Sequence, residues 1–163
     1  MKDKMMSEEE YLANYDDSRY PKPSVTADIV ILAGNEILLI KRGNHPFMGK
    51  WATPGGFANK NEELVMTAKR ELEEETGITG VSLSLVGVYS KPGRDPRGWV
   101  ISTAYKATIN KEDISVKAAD DAADARWFNI MPDMTLVSGD LHLTLDDLAF
   151  DHKDIIKDVL KRA

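Results

Sequence analysis

The chain contains no cysteine. Disulfide scaffolds, cysteine-ligated zinc, iron–sulfur clusters and cysteine nucleophiles are thereby excluded. Histidine is scarce: His45, His142 and His152 stand far apart, without H-E-x-x-H or a similar spacing, so a histidine metal site is not expected. The longest apolar runs, residues 29–33 and 37–40, fall far short of the ~20 residues that span a bilayer, and the amino terminus has no uninterrupted apolar segment resembling a secretory signal. A G-x-S-x-G nucleophile elbow and a P-loop lysine motif are also missing. Basic residues are in deficit, 21 Lys and Arg against 27 Asp and Glu for a net charge of −6, which disfavours binding along a phosphate backbone. These absences predict a soluble, cytoplasmic protein that engages neither membrane nor nucleic acid.

What is present fits one domain. The 163 residues are 42% apolar, and a chain of this size buries roughly 68–70% of its unfolded surface without covalent staples. Residues 1–19 are charged and weakly periodic, and read as a flexible or partly helical arm ahead of a domain at 20–163. Apolar runs on either side of Gly34-Asn35 predict a hairpin of residues 26–32 with 36–41. Residues 42–57 hold four glycines and two prolines and read as a long functional loop running into a short strand. Strands are further expected over 81–88, 99–107 and 126–128, and a second helix over 151–161. Strands interleaved with helices predict a mixed α/β sheet covered on its faces.

The strongest helix is expected over 62–76, with Gly77 as its carboxyl-terminal cap. At 100° per residue, Leu64, Val65, Ala68 and Leu72 fall within an arc of roughly 100°. Glu75 falls inside that arc and Glu71 at its border, while Glu74 lies about 100° from Glu75. Glu73 points away and suits a solvated face. Residues 62–75 carry six acids against Lys69 and Arg70, so most of the excess negative charge sits here. Carboxylates beside an apolar stripe lose hydration and repel one another, and they call for a cation or for protons. A hard, oxygen-seeking divalent ion such as Mg²⁺ answers that need best.

The segment GGFANKNEELVMTAKRELEEETGI, residues 55–78, resembles the signature of the Nudix hydrolases, G-x5-E-x7-R-E-U-x-E-E-x-G-U with U apolar. Gly56, Glu62, Arg70, Glu71, Leu72, Glu74, Glu75, Gly77 and Ile78 fill all nine constrained positions at the correct spacing. The resemblance implies an α/β/α sandwich with a mixed β-sheet and Mg²⁺- or Mn²⁺-dependent hydrolysis of a nucleoside diphosphate linked to another moiety. It further implies that Glu71 and Glu75 are the principal metal ligands, with Glu74 a further ligand or hydrogen-bond partner and the Gly55 carbonyl a backbone ligand. Arg70 and Glu62 would brace the helix. The general base is left open between the signature helix and a later loop; Asp121, with Asp120 as second choice, is the loop candidate.

Other segments, including YPKPSVTADIVI, LLIKRGNHPFMGKWATPGGF, PGRDPRGWVISTAY and LAFDHKDII, are similar to the ADP-ribose pyrophosphatase branch of that family. That similarity implies cleavage of ADP-ribose or a close ADP-sugar to AMP and a sugar phosphate. The alternatives are another substrate such as NADH or a nucleotide sugar, or a non-catalytic ADP-ribose sensor. Arg94 and Arg97, in a loop with two prolines and two glycines over 92–98, suit a phosphate or ribose. Arg42 at a strand end suits the diphosphate, and Tyr20 and Trp99 suit adenine stacking. The regulators of this branch carry a winged-helix domain after the Nudix domain; residue 163 directly follows the last expected helix, which again argues against DNA binding. A homodimer is an expectation of the branch, with the amino-terminal arm as a contributor.

Overall fold

Residues 24–42 build the centre of the molecule because their β-branched and leucine side chains are apolar on both faces. In the computed structural model, which describes residues 6–114 and 122–162, they form β1 (Ser24–Ala33) and β2 (Glu36–Arg42), paired antiparallel across Gly34-Asn35. Gly34 takes a φ of +56°, which a side chain would resist. Two very short strands follow, β3 (Trp51–Ala52) on β2 and β4 (Gly55–Phe57) on β1. The chain then enters α2 (Leu64–Thr76), which follows the amino-terminal α1 (Glu8–Ala13). The remaining strands are β5 (Ser84–Tyr89), β6 (Val100–Thr108), β7 (Ala122–Ile130), β8 (Leu136–Ser138) and β9 (Leu141–Leu143), and α3 (His152–Lys161) closes the fold.

The sheet runs β5-β6-β1-β2-β7-β8-β9. It is mixed, since β1 pairs parallel with β6 and antiparallel with β2 and β4. Successive β1 residues serve opposite layers. Ala27, Ile29 and Ile31 pack with Ala68 and Leu72 of α2, whereas Val30, with Ile37 and Leu39 of β2, packs with Ile155, Ile156 and Val159 of α3. Burial on both faces is why this strand reads as a continuous apolar run rather than an alternation. The result is the expected α/β/α sandwich.

Several boundaries differ from expectation. Helix α2 starts at Leu64 rather than 62, because the Glu62 side chain is turned back onto Asn59, Thr67 and Arg70 ahead of the first turn. Gly77 caps it as expected, with φ +76° and its N–H on the Glu73 carbonyl. Strand β7 is nine residues long instead of three; its pairing with β2 carries polar positions that have no strand signature of their own. Strands β8 and β9, three residues each, were too short for a period to show. Helix α1 has a Ser7–Glu10 capping box but no buried residue.

Phe128 is fully buried and meets Trp51 edge-to-face with centroids 4.9 Å apart. Phe128→Ala is expected to lower unfolding stability by about 3–5 kcal/mol, measured by urea denaturation; a loss under about 1 kcal/mol would show that this layer re-collapses.

Candidate active site

The short strand β4 brings the Gly55-Gly56 backbone against helix α2. The Gly55 N–H donates to Glu75 Oε2 at 3.0 Å. At Gly56 a Cβ would stand 2.4 Å from the Glu71 carboxylate, and at Gly55 it would stand 2.4 Å from the Ala27 carbonyl and from Asp28 Oδ1. Backbone atoms require glycine at Gly55, a side chain at Gly56 would push the Glu71 carboxylate aside, and the two glutamates one turn apart are drawn to one strip of backbone. Glu74 lies on the outer side, more than half exposed, and Arg70 reaches it at 3.3 Å.

Arg70 is the local counter-charge. It binds Glu62 at 2.9 Å and Glu71 at 2.6 Å, and donates to the Phe57 carbonyl at 3.0 Å. Hydrogen bonds from Arg70 and Thr67 hold Glu62 at a pKa of about 2. Glu71 shifts the other way, raised by burial against the pull of Arg70. For Glu75, burial pushes the pKa up to about 8, with the Glu71 and Asp28 charges adding to it and the Gly55 N–H opposing.

A cleft opens beside these acids, lined by Asp28, Arg42, Thr53, Gly55, Gly56, Phe57, Arg94, Asp95, Arg97, Phe150 and His152 among others. Its floor is a buried polar network. The Thr53 N–H donates to His152 Nδ1 at 3.1 Å, which makes that nitrogen the acceptor and puts the proton on Nε2, 3.5 Å from Asp28 Oδ1. Burial keeps His152 neutral by lowering its pKa. The Ser102 hydroxyl donates to the other Asp28 oxygen.

The expected site residues separate into groups. Glu71, Glu75 and Gly55 come together, with Glu74 at the edge. Arg42 and Arg97 reach the cleft, Arg42 donating Nε to the Pro46 carbonyl at 2.7 Å and Arg97 bound to Asp95 at 2.7 Å. Arg94 also lines it, but its buried guanidinium makes a two-bond pair with Asp151 at 2.6 and 2.9 Å and ties loop 92–98 to the start of α3. Tyr20 directly follows the arm, stacked on Tyr15 with ring centroids 6.3 Å apart, and Trp99 lines a separate pocket with Pro92 and Gly98; neither is among the residues lining the cleft. Asp121 and Asp120 lie outside the described residues. Sequence reasoning passed over Asp28, Asp95 and Phe150. An acid inside an apolar strand was the available signal for Asp28; Asp95 and Phe150 had none beyond their loops.

The donor set suits a hard divalent cation. Glu71 and Glu75 offer carboxylate oxygens that lack full hydration, and the absence of a side chain at Gly56 leaves the space that the Glu71 carboxylate fills. Among the described residues no three Asp, Glu or His side chains form a ready-made metal cage, so backbone carbonyl, water and substrate oxygens would complete the coordination.

The chain belongs to the NUDIX family, whose domain matches residues 22–132, and it is a Nudix hydrolase. It is 42% identical over 142 residues to an ADP-ribose pyrophosphatase of Methanocaldococcus jannaschii, covering 87% of this chain and 76% of that one. It is 34% identical over 162 residues to an ADPR responsive transcriptional repressor of Acinetobacter baylyi, covering 96% of this chain but 60% of the repressor. The structure of the NUDIX domain of Shewanella oneidensis NrtR complexed with ADP ribose superposes with a TM-score of 0.78 at 30% identity, covering 96% of this chain and 99% of that one. A Francisella tularensis bifunctional NMN adenylyltransferase/ADP ribose pyrophosphatase complexed with AMP and a manganese ion gives 0.72 at 27%, covering 88% and 42%. No helix among the described residues is long and apolar enough to cross a membrane.

Two predictions follow the geometry. Gly56→Ala should displace Glu71 and weaken Mn²⁺ affinity about 10–100-fold, read by calorimetric titration, with the fold retained because the clashing atoms end a flexible side chain; unchanged affinity would remove Glu71 from the ligand set. Glu75 titrates at about 8 when folded against 4.5 as a free side chain. Its proton-linked stabilisation is therefore complete below about pH 4.5 and is lost as pH rises through about 8. In EDTA, thermal stability should fall over that window in the wild type more than in Glu75→Gln, and parallel profiles would contradict the assignment.

Proposed function

We propose that this hydrolase cleaves the diphosphate of ADP-ribose, or of a closely related ADP-sugar, to AMP and a sugar phosphate with Mg²⁺ or Mn²⁺, acting in the cytoplasm on a small nucleotide rather than on nucleic acid. The observation that carries the reading is the juxtaposition of Glu71 and Glu75 on the Gly55-Gly56 backbone with the arginine-bearing cleft beside them. The 42% identity to an ADP-ribose pyrophosphatase supports the choice of substrate.

A divalent cation, when bound, supplies charge neutralisation of the diphosphate and activation of water. Glu71, Glu75 and the Gly55 carbonyl would hold it, with Glu74 as an outer ligand or hydrogen-bond partner. Arg42 and Arg97 would take the phosphate oxygens and orient the phosphorus for in-line attack. Glu62 and Arg70 hold the helix start so that Glu71 keeps its direction. Asp121 is proposed as the general base. It directly precedes Ala122, whose backbone pairs with Arg42 at the rim of the cleft, and Asp120 is the second choice.

A second reading, an ADP-ribose sensor without turnover, is favoured by the 34% identity to an ADPR responsive repressor over 96% of this chain. The full set Glu71, Glu74 and Glu75 supports turnover over sensing, since a sensor needs no such set.

With ADP-ribose and Mg²⁺ the expected result is AMP release that EDTA abolishes, and Glu75→Gln should lower kcat/KM by about two orders of magnitude or more with the fold intact. Tight ADP-ribose binding without AMP would establish the sensor. Faster turnover of NADH or another nucleotide sugar in a side-by-side kcat/KM panel would replace the substrate.

A further inference from the structure

Phe150 places a bulky side chain on a backbone with φ +52°, a left-handed conformation that such a residue keeps only where its surroundings impose it. The conformation sets one ring against two guanidinium groups. Arg42 lies 4.9 Å and Arg97 5.4 Å from its centroid, and Phe47, itself at φ +59°, packs edge-on at 4.8 Å. A second ring, Phe57, stands 4.6 Å from Arg97. The two cations feel each other: burial lowers the Arg42 pKa most and the Arg97 charge lowers it next. The ring faces offset part of that repulsion.

The hydrogen bonds leave particular edges open. Arg97 gives its backbone N–H, Nε and Nη2 to Asp95 at 2.9, 3.0 and 2.7 Å. Arg42 gives Nε to the Pro46 carbonyl at 2.7 Å. Among the described residues no protein acceptor takes Nη1 of Arg97 or either terminal nitrogen of Arg42; Arg97 is exposed, the part-buried Arg42 has no buried nitrogen without a partner, and both arginines line the cleft. Asp95, with only 2% of its side chain exposed, makes all its side-chain hydrogen bonds with this one neighbour. Burial works to raise its pKa, but those bonds and the Arg97 and Arg94 charges together hold it below the ordinary value, so it stays ionised.

We propose that Asp95 and Phe150 are positioning residues that hold Arg42 and Arg97 as one preorganised clamp, its open guanidinium edges directed at the substrate's diphosphate. This rests on the reading of the site as a diphosphate hydrolase. The ion pair fixes Arg97 in rotation about its long side chain, and the ring fixes its distance from Arg42. A doubly charged group then meets two donors whose ordering cost has already been met by the fold.

The test is a double-mutant cycle on the Mg²⁺-loaded full chain with ADP-ribose. Asp95→Asn should raise KM about tenfold with kcat changed less than about twofold, the scale of one charge-assisted hydrogen bond lost on binding. Arg97→Gln should raise KM at least as much, and Asp95→Asn combined with Arg97→Gln should be no worse than Arg97→Gln alone. Phe150→Leu should raise KM about threefold to tenfold. A purely structural Asp95 would instead lower thermal stability with KM unchanged, or give additive effects in the cycle, and either outcome overturns the proposal. If the wild type releases no AMP, the functional reading fails separately, and the clamp is then read by inorganic pyrophosphate: it should raise the wild-type Tm and do so less in Asp95→Asn and Arg97→Gln. An equal rise in all three, or none in the wild type, overturns the clamp.

Discussion

The hydrogen bond from the Gly55 amide to the Glu75 carboxylate, 3.0 Å long in a place where burial pushes that carboxyl to a pKa of about 8, sets how β4, α2 and the cleft meet. A buried carboxylate with one backbone donor is poorly compensated. Neighbouring Glu71, one turn back on α2, and Asp28 of β1 make it worse, since each adds negative charge. The fold accepts this cost at the seam between its central sheet and its helical layer. Such concentration of unfavourable charge in one cleft is how functional sites are ordinarily recognised.

The surroundings of the cleft are polarised. On one side the Gly55-Gly56 backbone lines it, with Glu75 bound to the Gly55 N–H, Glu71 packed on Gly56, and Arg70 tying down Glu62 and Glu71 behind them. On the other side stand Arg42 and Arg97, held by Pro46 and Asp95 and backed by phenylalanine rings. Acidic and basic groups therefore adjoin one cleft, an arrangement suited to a metal-bridged phosphate. Arg94 lines the cleft as well, but its guanidinium is taken up by Asp151. Its pair with Asp151 is a buried strut that fixes loop 92–98 against α3, so the loop that presents Arg97 is anchored rather than slack.

Beneath both walls lies the Asp28, His152, Thr53 and Ser102 network. Asp28 occupies the space that a side chain at Gly55 would need. The polar residues of β1 thus determine the backbone spacing of β4, and β4 in turn determines where the glutamates of α2 converge. A strand residue chosen for its partner on α3 constrains a helix on the opposite layer.

The sequence by itself determined the helix, its glycine cap, the acidic stripe beside an apolar arc and the hairpin at Gly34-Asn35, because these depend on neighbours within a few positions and a fixed periodicity. Glu71 and Glu75 were legible for that reason. Tertiary structure alone decided that Arg94 serves Asp151, 57 residues away in the chain, while Arg97 faces the cleft; two arginines in one short loop look alike until the partner arrives. It alone decided that Tyr20 and Trp99 line other surfaces, and that Phe150 would underlie two cations from distant segments. Local pattern encodes what a segment buries, but which charge meets which across the sheet depends on long-range closure of the fold, and no spacing along the chain records that distance.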